Sequence, residues 1–83
     1  MKRMRVSDNH HYDVMRWPHL DGWRALHVVH IPDAGNPQVV NLDASGECGN
    51  EPVHATEADA MRACELHFSV YSWPVYTKWS EVD

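Results

Sequence analysis

The chain has 83 residues, with seven Lys and Arg against twelve Asp and Glu, for a formal charge of −5. Three of those cations fall in the first five positions, so from Val6 onward four cations face twelve carboxylates, a charge of −8 that repels phosphate backbones and argues against direct nucleic-acid binding. The length allows one domain (1–83) around one core, and no apolar run approaches the ~20 residues of a bilayer-spanning helix.

Residues 1–9 read either as an edge strand or as a flexible tail. The start Met1-Lys2-Arg3-Met4-Arg5 has none of the apolar stretch of a signal peptide, so a cytoplasmic location is expected. Residues 11–17 are rich in aromatic and β-forming types and are followed by Pro18-His19-Leu20-Asp21-Gly22, which predicts a strand and a hairpin loop. Over 23–31 both alternating faces are fairly apolar, the pattern of a strand with neighbours on either side. Pro32-Asp33-Ala34-Gly35-Asn36-Pro37 is a loop, and strand character resumes over 38–43. A polar loop over 44–52 then leads through Val53 and His54 towards a helix.

Thr56 ahead of Glu57-Ala58-Asp59 makes a capping-box start, with Asp59 three residues beyond the cap. Pro74 ends the helix near residue 72, because it lacks an amide donor and holds Trp73 away from helical angles. At about 100° per residue a polar stripe of Ala58, Arg62, Glu65, Ser69 and Ser72 separates two apolar flanks. Met61, Cys64, Phe68 and Tyr71 form one flank, and Ala63, Leu66, Val70 and Trp73 the other. One sheet face covers only one flank, so the second must meet residues 73–76, a twin subunit in a homodimer, or another protein. Residues 75–79 look extended and either add an edge strand or fold back across the helix. The fold class predicted is α+β: a three- to four-stranded antiparallel β-meander packed against one α-helix in the C-terminal half.

No constellation points to catalysis or to a cofactor. Cys48, His54, Cys64 and His67 are a possible zinc set by residue type, yet the spacing has no tight Cys-x2-Cys knuckle, and the thiols are expected to stay reduced. His27 and His30 point to opposite faces of a regular strand, and His10 and His11 do the same. No strained nucleophile turn and no phosphate-cradling glycine loop is present, so the chain is not expected to be an enzyme. Protonating all seven histidines would take the formal charge from −5 to +2.

Between Arg24 and Arg62 there is no Lys or Arg, but there are six carboxylates: Asp33, Asp43, Glu47, Glu51, Glu57 and Asp59. Such a stretch predicts a negative surface able to engage a lysine- and arginine-lined groove, with Trp73, Tyr76 and Trp79, along with Trp17 and Trp23, as candidate aromatic anchors. Solubility of the loops and complementation of the helix dipole by Glu57 and Asp59 are the ordinary alternative uses of these acids.

From Gly49 to Ala63 the chain resembles short bacteriophage and mobile-element proteins in which strands lead through a Thr-Glu-x-x-Ala-type start into an alanine-rich helix. Some anti-CRISPR proteins share this size, acidity and strand-then-helix order over roughly the central 60 residues. The resemblance implies a small inhibitor that docks on a CRISPR effector complex and blocks nucleic-acid binding or nuclease recruitment, and it assigns no residue a role. The chain is also similar to HicB-type antitoxins, which would make it a homodimeric interaction module. Thr56-Glu57-Ala58-Asp59-Ala60 lacks the paired acids of that helix start, and no helix-turn-helix extension follows.

Overall fold

A computed structural model describes residues 1–17, 19, 21–33, 35–50, 52–71 and 78–82, with the backbone alone at Trp17 and Tyr71. The elements are β1 (Lys2–Ser7), β2 (His10–Trp17), β3 (Gly22–Val29), β4 (Gln38–Asn41), α1 (Glu57–Tyr71) and β5 (Trp79–Glu81). All strands join one antiparallel sheet in the order β4-β3-β2-β1-β5, an α+β fold with one strand more than the upper expectation of four. The extra strand arises because both chain ends pair. Lys2, Arg3 and Met4 meet Glu81, Ser80 and Trp79, so the segment that read as strand or tail is an interior strand. No helix among the described residues is long and apolar enough to cross a membrane.

Register decides which side chains share a face. Met4 lies opposite Tyr12, Tyr12 opposite His27 and Val14 opposite Ala25, so these residues project to one side of the sheet. There α1 packs, and Ala60, Ala63, Cys64 and Phe68 close a core over Met4, Tyr12, Val14 and Leu42. The other side carries Arg3, Asp13 and His11, where the Arg3 guanidinium holds Asp13 in a two-pronged ion pair, Nε to Oδ1 at 2.7 Å and Nη2 to Oδ2 at 3.1 Å.

α1 starts where the sequence places it: the Asp59 amide donates to Thr56 Oγ1 at 3.1 Å, satisfying one of the helix's orphan donors. Its entry is pinned to the start of β3, since Trp23 and His54 exchange backbone hydrogen bonds of 2.8 and 2.7 Å. A β-carbon at Gly22 would collide with Val53 Cγ1, so the close approach of 53–54 to β3 depends on that glycine. The predicted end of the helix near Ser72, with Trp73 and Pro74, lies outside the described residues.

Candidate functional site

Loop 43–48 is built by Asp43. Its Oδ1 accepts hydrogen bonds from the Ser45 amide (2.9 Å), the Ser45 hydroxyl (2.6 Å) and the Glu47 amide (3.0 Å), a tight side-chain-to-backbone turn. The Ser45 hydroxyl, followed by these amides, holds the Asp43 carboxyl below the usual carboxylate range. Gly46 then takes φ +81°, which lets the loop lie directly on α1. The contact is close enough that a β-carbon at this position would sit 2.9 Å from the His67 amide nitrogen.

The loop makes a groove with α1 on each side. Towards the helix start, Ala44, Val53, His54, Ala55, Asp59 and Arg62 line one groove. Towards the helix end, Ser45, Gly46, Glu47, Cys48, His67 and Val70 line the other. The two apolar flanks of α1 fare differently. Cys64 and Phe68 are buried against the sheet, with Met61 packed beside them, whereas among the described residues of the opposite flank only Ala63 is buried. Leu66 and Val70, one turn apart, remain 39% and 75% exposed.

The predicted partner-binding carboxylates that fall among the described residues lie in two separate places. Asp33 sits exposed in the turn after β3, while Glu57 and Asp59 start α1 beside the opposite end of that strand, about 20 Å away at roughly 3.3 Å per residue. Asp43 and Glu47 lie with Asp59 along the loop–helix ridge, because Ala44 and Asp59 share a groove. Among the described residues the side-chain ion pairs join Arg3 to Asp13 and Lys2 to Glu81, with His11 also against Asp13, and Asp33, Asp43, Glu47, Glu57 and Asp59 take part in none. Trp79 is not an outward anchor: it lies opposite Met4 in the β1–β5 pairing and is half-buried against the core. Trp23 is likewise half-buried against the core. Glu51, Trp73 and Tyr76 lie outside the described residues, as does the side chain of Trp17.

Of the four candidate metal ligands, Cys48 and His67 line one groove, while His54 and Cys64 are engaged elsewhere. His54 Nε2 donates to the Leu42 carbonyl at 2.8 Å, Cys48 is exposed, and Cys64 is a buried core thiol that desolvation pushes up to about 12. No group of three or more His, Cys, Asp or Glu among the described residues is arranged to hold a metal ion.

A cluster that the sequence analysis missed lies between α1 and the sheet. His10 and His27 bring their Nε2 atoms to 2.5 Å, and the Tyr12 hydroxyl is hydrogen-bonded to His67 Nδ1 at 2.7 Å. The His27 ring stacks on Tyr12 at 5.0 Å and lies 4.5 Å from the rings of both His10 and His67. Burial holds His10 and His67 below the ordinary imidazole range and takes His27 to about 4, with the neighbouring imidazoles adding to the effect. Strand alternation correctly separates His10 from His11, but the diagonal approach of His10 to His27 depends on the β2–β3 register, which places Tyr12 opposite His27. The one usable signal was the concentration of histidines on both sides of the hairpin loop.

Against this geometry, no family model, curated protein or solved structure matches the chain.

Proposed function

We propose that this chain is a non-catalytic protein-binding module whose docking surface is the ridge formed by loop 43–48 and the outward flank of α1. The observation that carries the reading is the placement of an apolar pair, Leu66 and Val70, beside the exposed carboxylate of Glu47 on a loop held rigid by Asp43. Apolar area anchors a partner, while unpaired carboxylates around it steer a cationic one and penalise an acidic one. Asp43, Glu47 and Asp59 belong to this surface. Asp33, at the other end of β3, is not part of the ridge. The partner class is therefore a protein surface that carries lysine or arginine around an apolar patch.

The finer reading, an anti-CRISPR-type inhibitor acting on a CRISPR effector complex in the host cytoplasm, comes from the resemblance in size, acidity and element order. A plasmid-interference assay in cells carrying one effector type at a time tests it. Expression of the chain should restore transformation with one of them, and Leu66→Asp with Val70→Asp should abolish the effect while the variant stays folded. Unchanged interference with every effector tested would remove the inhibitor reading. The exposed Leu66 and Val70 also suit a twin copy, as in an antitoxin-like homodimer. Light scattering across a hundredfold concentration range separates the two, since a constant monomer mass rules out the dimer.

A further inference from the structure

The His10–His27–His67–Tyr12 cluster joins two strands to the C-terminal half of the helix through three imidazoles and a phenol. At 2.5 Å the two Nε2 atoms have room for one proton between them, and a second would set two N–H groups and two positive charges against each other. Among the described residues no carboxylate lies within ion-pair distance of His10 or His27 to offset that charge. We infer that this cluster is an acid-released latch: protonation of the His10–His27 pair frees the C-terminal half of α1 from the sheet.

The groups facing the pair come from each surrounding element. β2 supplies Tyr12, whose phenol burial keeps protonated, and α1 supplies His67 and the buried thiol of Cys64. Met4 and Val6 of β1 and Val40 of β4 are apolar members of the same packed layer, and Val40 lies directly opposite His27. Loop 43–48 places Glu47 and Cys48 in the outer groove that His67 also lines. His11, on the far side of β2, adds a weaker repulsive charge to His27. An unfolded or opened chain can protonate His10 and His27 independently, so acid favours opening. The helix end is the part released, because His67 and Phe68 hold it on Tyr12 and His27 while α1 keeps its separate anchor through His54 and Trp23.

Hydrogen exchange of the full chain at pH 7.5 and pH 5.0, corrected for intrinsic rates, tests the latch. Amides of residues 64–71 should lose protection by about tenfold or more relative to those of β2 and β3, and His10→Phe should abolish that difference. Equal loss across helix and sheet, or the same difference in the variant, would overturn the inference. Should His10→Phe fail to fold at pH 7.5, ring titration of the wild-type chain by NMR decides. Titration of the His10 and His27 rings as one coupled pair, with the protection of residues 64–71 lost over the same pH range, supports the latch, and independent midpoints for His10 and His27 at about 6.5 refute it.

Discussion

A β-carbon at Gly46 would stand 2.9 Å from the His67 amide nitrogen and 2.9 Å from Leu66 Cβ, on a backbone already at φ +81°. Gly46→Ala should therefore lower stability by about 2–3 kcal/mol, the sum of left-handed strain and displacement of the loop from the helix. Gly35 is the control. It also has positive φ, at +67°, but nothing lies within 4 Å of its β-carbon position, so Gly35→Ala should cost only about 1 kcal/mol. Urea denaturation with unchanged slope reads both values. Asp13 is a second residue whose surroundings fix its role, since it is 7% exposed and its carboxylate receives both prongs of Arg3. Asp13→Ala leaves that guanidinium half-buried without its acceptor, and the expected loss is about 1–3 kcal/mol in the same assay. A double-mutant cycle with Arg3→Ala should recover most of it.

Among the elements, α1 depends on its cap. Thr56 presents its hydroxyl to the Asp59 amide at an exposed helix start, so Thr56→Ala should cost about 1 kcal/mol by thermal or urea unfolding and leave the β-sheet circular dichroism unchanged. The last strand, β5, is held differently. Glu81 reaches the Lys2 ammonium at 3.1 Å and the N-terminal ammonium at 3.3 Å, and the Lys2 hydrogen bond, ahead of the N-terminus, lowers the Glu81 pKa. These are exposed pairs that add little energy. The strand is positioned mainly by backbone pairing with β1 and by the half-buried Trp79, whose indole Nε1 is buried without a hydrogen-bond partner. Packing area outweighs that unmet donor, because a large aromatic side chain against the core contributes more than one lost hydrogen bond.

For the whole molecule, the depressed imidazoles His10, His11, His27 and His67 set the response to acid. Each binds its proton more weakly in the folded chain than in the unfolded one. Their contribution is complete above about pH 6.5 and is lost as pH falls towards the folded values, about 4 for His27. Discounted for partial solvent access, His27 should cost about 1 kcal/mol at pH 5, and calorimetry should find the melting temperature about 5 °C lower there than at pH 7.5. A melting temperature that stays constant or rises on acidification would contradict the assignment. Much of the fold was legible beforehand. Aromatic and β-forming composition marked residues 11–17 and alternation residues 23–31 as strands, prolines and glycines marked their turns, and Thr56 marked the helix start, because each signal is carried by residues adjacent in the chain. β1 and β5 were less legible, since an interior strand carrying three cations and an edge strand of three residues show their character only when paired with each other. The acidic stretch was visible as composition, but only packing could divide it, leaving Asp33 at one end and bringing Asp43, Glu47 and Asp59 to the loop–helix ridge. The histidine cluster belonged wholly to tertiary structure. Periodicity records which way a side chain faces along its own element, whereas hairpin register and the seating of the helix on the sheet decide which side chains it meets there.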